Sequence, residues 1–322
     1  MDDQSLITIG FSSHRIEVIP YAKRLMENHD VIILEEAANP KFITMLGKGI
    51  SIDEYLSGVD SGFPQFSRQF YKLLRQFYQK GKEILQIEPY IENLMNIHDM
   101  FFNGKRPSDV LKIPGLREVY KAEKNATGAL LHFYESSMRS SFKKVIEAVR
   151  NFARSDAERF RLRDTMRARA IAKVLPYNKS VYVEAGAIHT YLENVLRQKL
   201  GGKWKIKSEF LLESVVKKLT GVKQVVTPGD ILTQHYIFRK RKNEEFETLQ
   251  TARALIYIQL IEKEEMAPSR SEKTPHIKDE IRAVKLVNKL SFVQCEELYR
   301  KIRFKSCHNA LEIIQEYLKK LP

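Results

Sequence analysis

Residues 6–35 read LITIGFSSHRIEVIPYAKRLMENHDVIILE, and this stretch decides the fold. Leu6–Gly10 is a short apolar run closed by Gly-Phe-Ser-Ser-His14, the pattern of a buried strand and its exit turn. Ile19 to about Asn28 has helical spacing, and Val31–Leu34 is a second apolar run that stops at Glu35-Glu36. Strand, helix and strand in so short a span imply a parallel pair joined by a crossover helix. The pattern continues outward. Ile84–Ile87 is a third strand ending at Glu88-Pro89, where proline opens a new helix. Residues 116–175 read as almost continuous helix, and Val181–Val183 is a fourth strand ending in Glu184-Ala-Gly-Ala-Ile-His189. The expected class is therefore α/β: a mixed or mostly parallel central sheet flanked by helices, with a helical C-terminal appendage. In chain order the expected parts are an α/β domain over 1–200, a mixed α/β extension over 201–245, and a helical region over 246–322. Within the extension Val225–Val226 and His235–Arg239 read as short strands, and Ala267–Pro275 reads as a polar loop.

With 43% hydrophobic and 29% charged residues over 322 positions, the chain has enough apolar material for a large core. No apolar run reaches the roughly 18–20 residues of a membrane span. The opening MDDQSLITIG is acidic and lacks the features of a secretory leader, so a cytoplasmic protein is expected. Cys295 and Cys307 are too few for a disulfide framework or a cysteine-based zinc site. The net charge of +14 is unevenly spread, with −2 over residues 1–137 and +16 over 138–322. No RNP motif, zinc-finger spacing or glycine-rich phosphate loop accompanies that basic half. Solvated basic helix faces are expected, with weak polyanion binding and no sequence preference.

Four strands end in ionisable residues: His14 beyond the first, then Glu35 with Glu36, Glu88 and Glu184. Open α/β sheets place their ligand sites at such strand ends. A second signal comes from the helix over 152–175. At 100° per residue, Ala153, Ala157, Phe160, Ala168 and Ile171 share one broad face, and Asp156, Arg163, Asp164 and Arg167 fall inside it. Charges on a buried stripe must be paired, because an unpaired buried ion costs several kcal/mol. They read either as an ion-pair network fastening the helix to the sheet or as an arginine aimed into a pocket. His98 lies near the middle of the apolar face formed by Tyr90, Ile91, Leu94, Met95, Ile97, Phe101 and Phe102, and is a candidate for the outskirts of the same pocket.

The segment Gly186-Ala-Ile-His189 after a strand resembles the second GxxH motif of the TraB/Tiki/erythromycin-esterase-like superfamily, which includes pheromone-shutdown proteins and haem-binding ChaN proteins. ERFRLRDTMRARAI (158–171) resembles the Arg-Asp helix that precedes it, Gly10-Phe-Ser-Ser-His14 the first motif, and Val31–Glu35 the strand ending in the family's glutamate. The first motif here is GxxxH, one residue longer than the family pattern. The resemblance spans about residues 5–200 and leaves 40–150 and the basic C-terminal part without a counterpart. It implies an α/β fold in which His14, Glu35, Arg163 and His189 face one cleft; the strand ends and the helix stripes place Glu36, Glu88, His98, Asp164, Arg167 and Glu184 around it.

This chemistry suits hydrolysis of an amide or ester bond in a small-molecule or peptide substrate. Two imidazoles and a carboxylate, His14, His189 and Glu35, can hold a divalent metal ion that activates water. Without metal, a histidine can activate water directly, with Arg163 stabilising the oxyanion. The competing expectations are a ligand-binding protein of the same fold, taking haem or a peptide without turnover, and a basic polyanion binder. If His189 is catalytic, His189→Ala should remove turnover at little cost in stability, and Arg163→Ala should be worse for folding.

Overall fold

In a computed structural model describing residues 5–59, 62–176 and 178–320, five strands form one sheet: β1 (Leu6–Ser12), β2 (Val31–Leu34), β3 (Glu83–Gln86), β4 (Val181–Gly186) and β5 (Lys205–Phe210). Their order is β3-β2-β4-β1-β5, and every neighbouring pair is parallel. The helices preceding β4 are α1 (Ile19–Glu27), α2 (Phe42–Leu46), α3 (Ile52–Leu56), α4 (Pro64–Gln79), α5 (Pro89–Phe102), α6 (Pro107–Val110), α7 (Leu116–Arg139) and α8 (Phe142–Val174). After it come α9 (Tyr191–Leu200), α10 (Glu213–Thr220), α11 (Pro228–Ile237), α12 (Glu244–Leu260), α13 (Pro275–Val287), α14 (Phe292–Ile302) and α15 (Cys307–Lys319). None of the described helices is long and apolar enough to cross a membrane.

The chain divides into two compact units that do not follow chain order. The first holds residues 1–120, 160–224 and 265–273, and the second holds 121–159, 225–264 and 274–322. This differs from the division at 200 and 245 because α7 and α8 each contribute one part to each unit, which no linker signal in the sequence marks. The unequal charge of the two halves of the chain also dissolves, since each unit carries a net +7.

In the first unit the alternation of β1 and β4 sets the sheet's two faces. Ile7, Ile9, Phe11, Val181, Val183 and Ala185 pack with Ala168 and Ile171 of α8 and with Leu192, Val195 and Leu196 of α9. Thr8, Gly10, Tyr182 and Glu184 point the other way. Gly10 pairs in register with Glu184. A Cβ on Gly10 would lie 2.2 Å from the Tyr182 hydroxyl, so only glycine leaves room for that fully buried ring. The second unit has its own core, in which Phe142, Val145 and Ile146 of α8 pack with Leu255, Ile256, Leu260, Leu298 and Ile302.

Two sequence expectations for 201–245 fail. Val225–Val226 is an unpaired lead-in to α11, where Thr227 caps the helix by accepting a hydrogen bond from the Asp230 N–H and Pro228 occupies the first turn. His235–Arg239 is the end of α11 and its exit turn, and the alternation of buried His235 and Ile237 arises inside a helix. The strand in this region is β5, which alternation alone conceals. Only Ile206 and Phe210 are apolar in KIKSEF, as suits a charged edge strand. From residue 246 onward the described chain contains helices and turns and no strand.

Candidate functional site

The site lies in the first unit at the C-terminal ends of β1, β2, β3 and β4. Two residues beyond β1, His14 takes a left-handed conformation (φ 52°) that non-glycine residues seldom adopt. Its N–H donates to Ser12 Oγ at 3.0 Å, which holds the turn. The imidazole Nε2 lies 3.2 Å from Glu184 Oε1, and the other Glu184 oxygen accepts the Glu35 N–H at 3.2 Å. Glu184 thus links the ends of β1 and β2. Gly186 sits between three of the functional side chains. A Cβ there would come within 3.4 Å of His189 and 3.6 Å of both Glu35 and His14, while its N–H donates to Glu35 Oε2 at 2.5 Å.

Behind this row, the stripe of α8 charges forms a buried network. Arg163 Nη2 donates to Glu35 Oε1 at 2.8 Å, and Arg163 Nε is 3.3 Å from Glu88 Oε2. Arg167, 1% exposed, lies 3.5 Å from Glu35 and 3.7 Å from Glu88. It also donates to the backbone oxygens of Ile87 at 3.0 Å and Glu184 at 2.7 Å, tying the end of β3 to β4. His189 lies between two carboxylates, with Nδ1 2.5 Å from Asp164 and Nε2 3.0 Å from Glu35. Burial opposes its charge, but Glu35 and Asp164 overcome that and push its pKa up to about 9. It is a buried imidazolium. Glu35 is also held ionised: burial raises its pKa, but His189, Arg163 and Arg167 bring it well below the carboxylate range. Glu88 goes the other way, because burial outweighs Arg163 and Arg167.

The cavity itself opens on the other side of this row. It measures about 180 Å³ and is lined by His14, Glu35, Glu36 and Glu184 opposite Gly62, Phe63, Phe66, Ser67, Phe70 and Tyr71. The aromatic wall comes from α4 and the residue that precedes it. Glu36 accepts the Tyr71 hydroxyl at 2.8 Å and the Gln86 amide at 2.7 Å. Burial, and then the charge of Glu184, push the Glu36 pKa up to about 7 despite those two hydrogen bonds. Burial pulls the His14 pKa down, but the hydrogen bond and charge of Glu184 leave it above the ordinary imidazole value. A carboxyl whose pKa is pushed up to about 7 and an imidazole whose pKa is raised therefore face one small cavity.

The sequence-derived residues fall into two layers. His14, Glu35, Glu36 and Glu184 line the cavity, whereas Arg163, Asp164, Arg167, Glu88 and His189 belong to the network behind Glu35. Asp156, on the same sequence stripe, belongs to the second unit and pairs with Arg159 at 2.5 Å. His98 is not part of the site. It is exposed on α5, on a stripe with Met95 and Phe102 that are themselves 52% and 92% exposed. Those two apolar residues made the buried face of α5 look wider than it is, since Tyr90 and Ile97 are the fully buried ones. Sequence reasoning missed Tyr71, Gln86 and the phenylalanine wall. The aromatic spacing of 64–79 gave only the signal of a core helix.

The donor set does not fit a metal ion as it stands. Both His189 nitrogens face carboxylates, and Glu35 is shared among Arg163, Arg167, His189 and the Gly186 N–H, so neither offers a free lone pair directed at a common point. Among the described residues no group of three or more His, Cys, Asp or Glu has a metal-holding arrangement.

No family model and no solved structure matches the chain. Over 291 residues it is 29% identical to an uncharacterised protein of Archaeoglobus fulgidus, an alignment that covers 90% of this chain and 97% of that protein.

Proposed function

We propose that the cavity beside His14 and Glu36 hydrolyses an amide or ester bond by general acid–base catalysis. The observation that carries this reading is that a carboxyl with a pKa of about 7 and an imidazole with a raised pKa line the same cavity. Glu36 is the base. A carboxylate tuned to about 7 is a stronger proton acceptor than an ordinary glutamate and is still ionised in half the molecules at neutral pH. His14 is the acid, its charged form favoured by the hydrogen bond and charge of Glu184 against burial. With Nε2 turned to Glu184, Nδ1 is the nitrogen left to serve the substrate.

In the proposed step water attacks the carbonyl carbon as Glu36 takes its proton. The imidazolium of His14 then gives a proton to the leaving nitrogen or oxygen as that bond breaks, and both groups exchange protons with solvent before the next turnover. Glu35, although it faces the cavity, is neutralised by Arg163, Arg167 and His189 and acts as a positioning residue through Gly186 and His189. The ordered His14, Glu35, Arg163-Asp164 and His189 elements that resemble the TraB/Tiki/erythromycin-esterase-like superfamily support this reading, since all lie at one end of the sheet. The cavity volume of about 180 Å³ suits an acyl group or one side chain of a peptide better than a haem.

The test is a panel of aryl esters and short peptides assayed with the wild type, Glu36→Gln and His14→Gln. Each substitution is expected to lower kcat by about 10²–10⁴-fold. Turnover that survives both substitutions overturns the assignment, and binding without turnover in the wild type favours a ligand-binding protein instead.

A further inference from the structure

The second unit has a site of its own. Arg154, His235, Tyr236, Lys240, Lys242 and Glu247 line a cavity of about 400 Å³, within the range of small-molecule pockets. Three lasting cations and an imidazole therefore face one carboxylate. That carboxylate is already taken. Glu247 is 1% exposed and accepts Arg150 Nη2 at 2.7 Å, Arg154 Nη2 at 3.0 Å and the Tyr236 hydroxyl at 2.6 Å. Its charge is spent on arranging these groups, with His235 Nε2 at 3.7 Å completing the ring.

The remaining charge is uncompensated. Neither Lys240 nor Lys242 has a carboxylate at ion-pair distance among the described residues. Their position is set by the neighbouring turn. Arg239 adopts φ 48° as the chain leaves α11, and its guanidinium reaches back to Glu158 at 3.3 Å. The Arg154 guanidinium lies 5.1 Å from the centre of the Tyr236 ring, which orients it.

We infer that this cavity binds a small phosphate-bearing anion, held by Arg154, Lys240 and Lys242, with Glu247 and the Tyr236 ring orienting the Arg154 guanidinium. A guanidinium and two ammonium groups around a concavity suit a phosphate group, the guanidinium through paired N–H donors and the lysines as point charges. Nucleic acid instead calls for cations strung along a groove. The inference is independent of the hydrolytic site in the first unit.

Calorimetric titration of the full chain with inorganic pyrophosphate at physiological salt tests it, alongside a 20-nucleotide RNA of mixed sequence. Lys240 and Lys242 are exposed, so a Lys240→Gln, Lys242→Gln double variant removes charge without disturbing the core. One saturable pyrophosphate site per chain, weakened at least about tenfold in the double variant, is the expected result; two lost charge-assisted contacts are worth about that much or more. Absence of saturable pyrophosphate binding, equal affinity in the variant, or a response to RNA alone would each overturn the inference.

Discussion

Replacing His189 by alanine tests the division of the site into a working layer and a supporting one. His189 is 3% exposed and joins Asp164 to Glu35 at 2.5 and 3.0 Å. Asp164 is fully buried, and its second oxygen has no hydrogen-bond partner, so removing the imidazolium strands a buried carboxylate. Breaking a buried pair in this way costs about 3–5 kcal/mol. In a unit of this size that lowers Tm by roughly 6–20 °C, at about 2–4 °C per kcal/mol. The pH dependence gives a second measure. The folded pKa of His189 is raised from 6.5 to about 9, so its contribution is complete below pH 6.5 and is lost as pH rises through 9. The shift corresponds to about 3 kcal/mol. Melts followed by circular dichroism between pH 6 and 9.5 should show the wild-type Tm falling over this window and the variant low and flatter. This reverses the expectation, drawn from sequence, that His189→Ala spares stability. A variant that melts within 2 °C of the wild type with an unchanged pH slope, by the same scale, would refute the buried-imidazolium assignment.

Glu36→Gln should raise Tm at pH 8 and leave it unchanged at pH 4, because a carboxyl whose folded pKa is raised from 4.5 to about 7 destabilises the fold progressively as pH climbs through that interval; a Tm lowered at pH 8 would contradict this. Gly10→Ala drives a methyl against the Tyr182 ring and should cost about 1–3 kcal/mol, with Tyr182→Val restoring part of the loss in urea melts. Dialysis against EDTA should leave ester or peptide turnover intact; activity lost to chelator and restored by a divalent ion would show that His14, Glu35 and His189 regroup around a metal.

The sheet was legible because its inner strands are fully buried on both faces. LITIG, VIIL and the VYV of β4 are continuous apolar runs that only a parallel interior strand explains. The edge strand β5 was not, since half of it faces solvent and carries lysines. The buried stripe on α8 was legible from periodicity, which places Arg163, Asp164 and Arg167 among alanines and an isoleucine. What periodicity does not reveal is where a buried charge finds its partner. Asp156 and Asp164 share that stripe, yet one pairs with Arg159 in the second unit and the other with His189 in the first. Nor does sequence order show which side of a strand end is hollow. Glu35 and Glu36 are adjacent and both buried, but His189, Arg163 and Arg167 bring the Glu35 pKa down, whereas burial and the charge of Glu184 raise that of Glu36 against its hydrogen bonds from Gln86 and Tyr71.

That Glu36 and His14 form a proton-exchanging pair in the cavity can be tested without knowing the substrate. Carbon-13 NMR of the glutamate side-chain carboxyls, with Glu36→Gln to assign the resonance, gives the Glu36 midpoint directly. The expected midpoint is near 7, moving higher in His14→Gln because the imidazole charge that favours the carboxylate is gone. A midpoint at the ordinary glutamate value of 4.5, unmoved by the loss of His14, would contradict it.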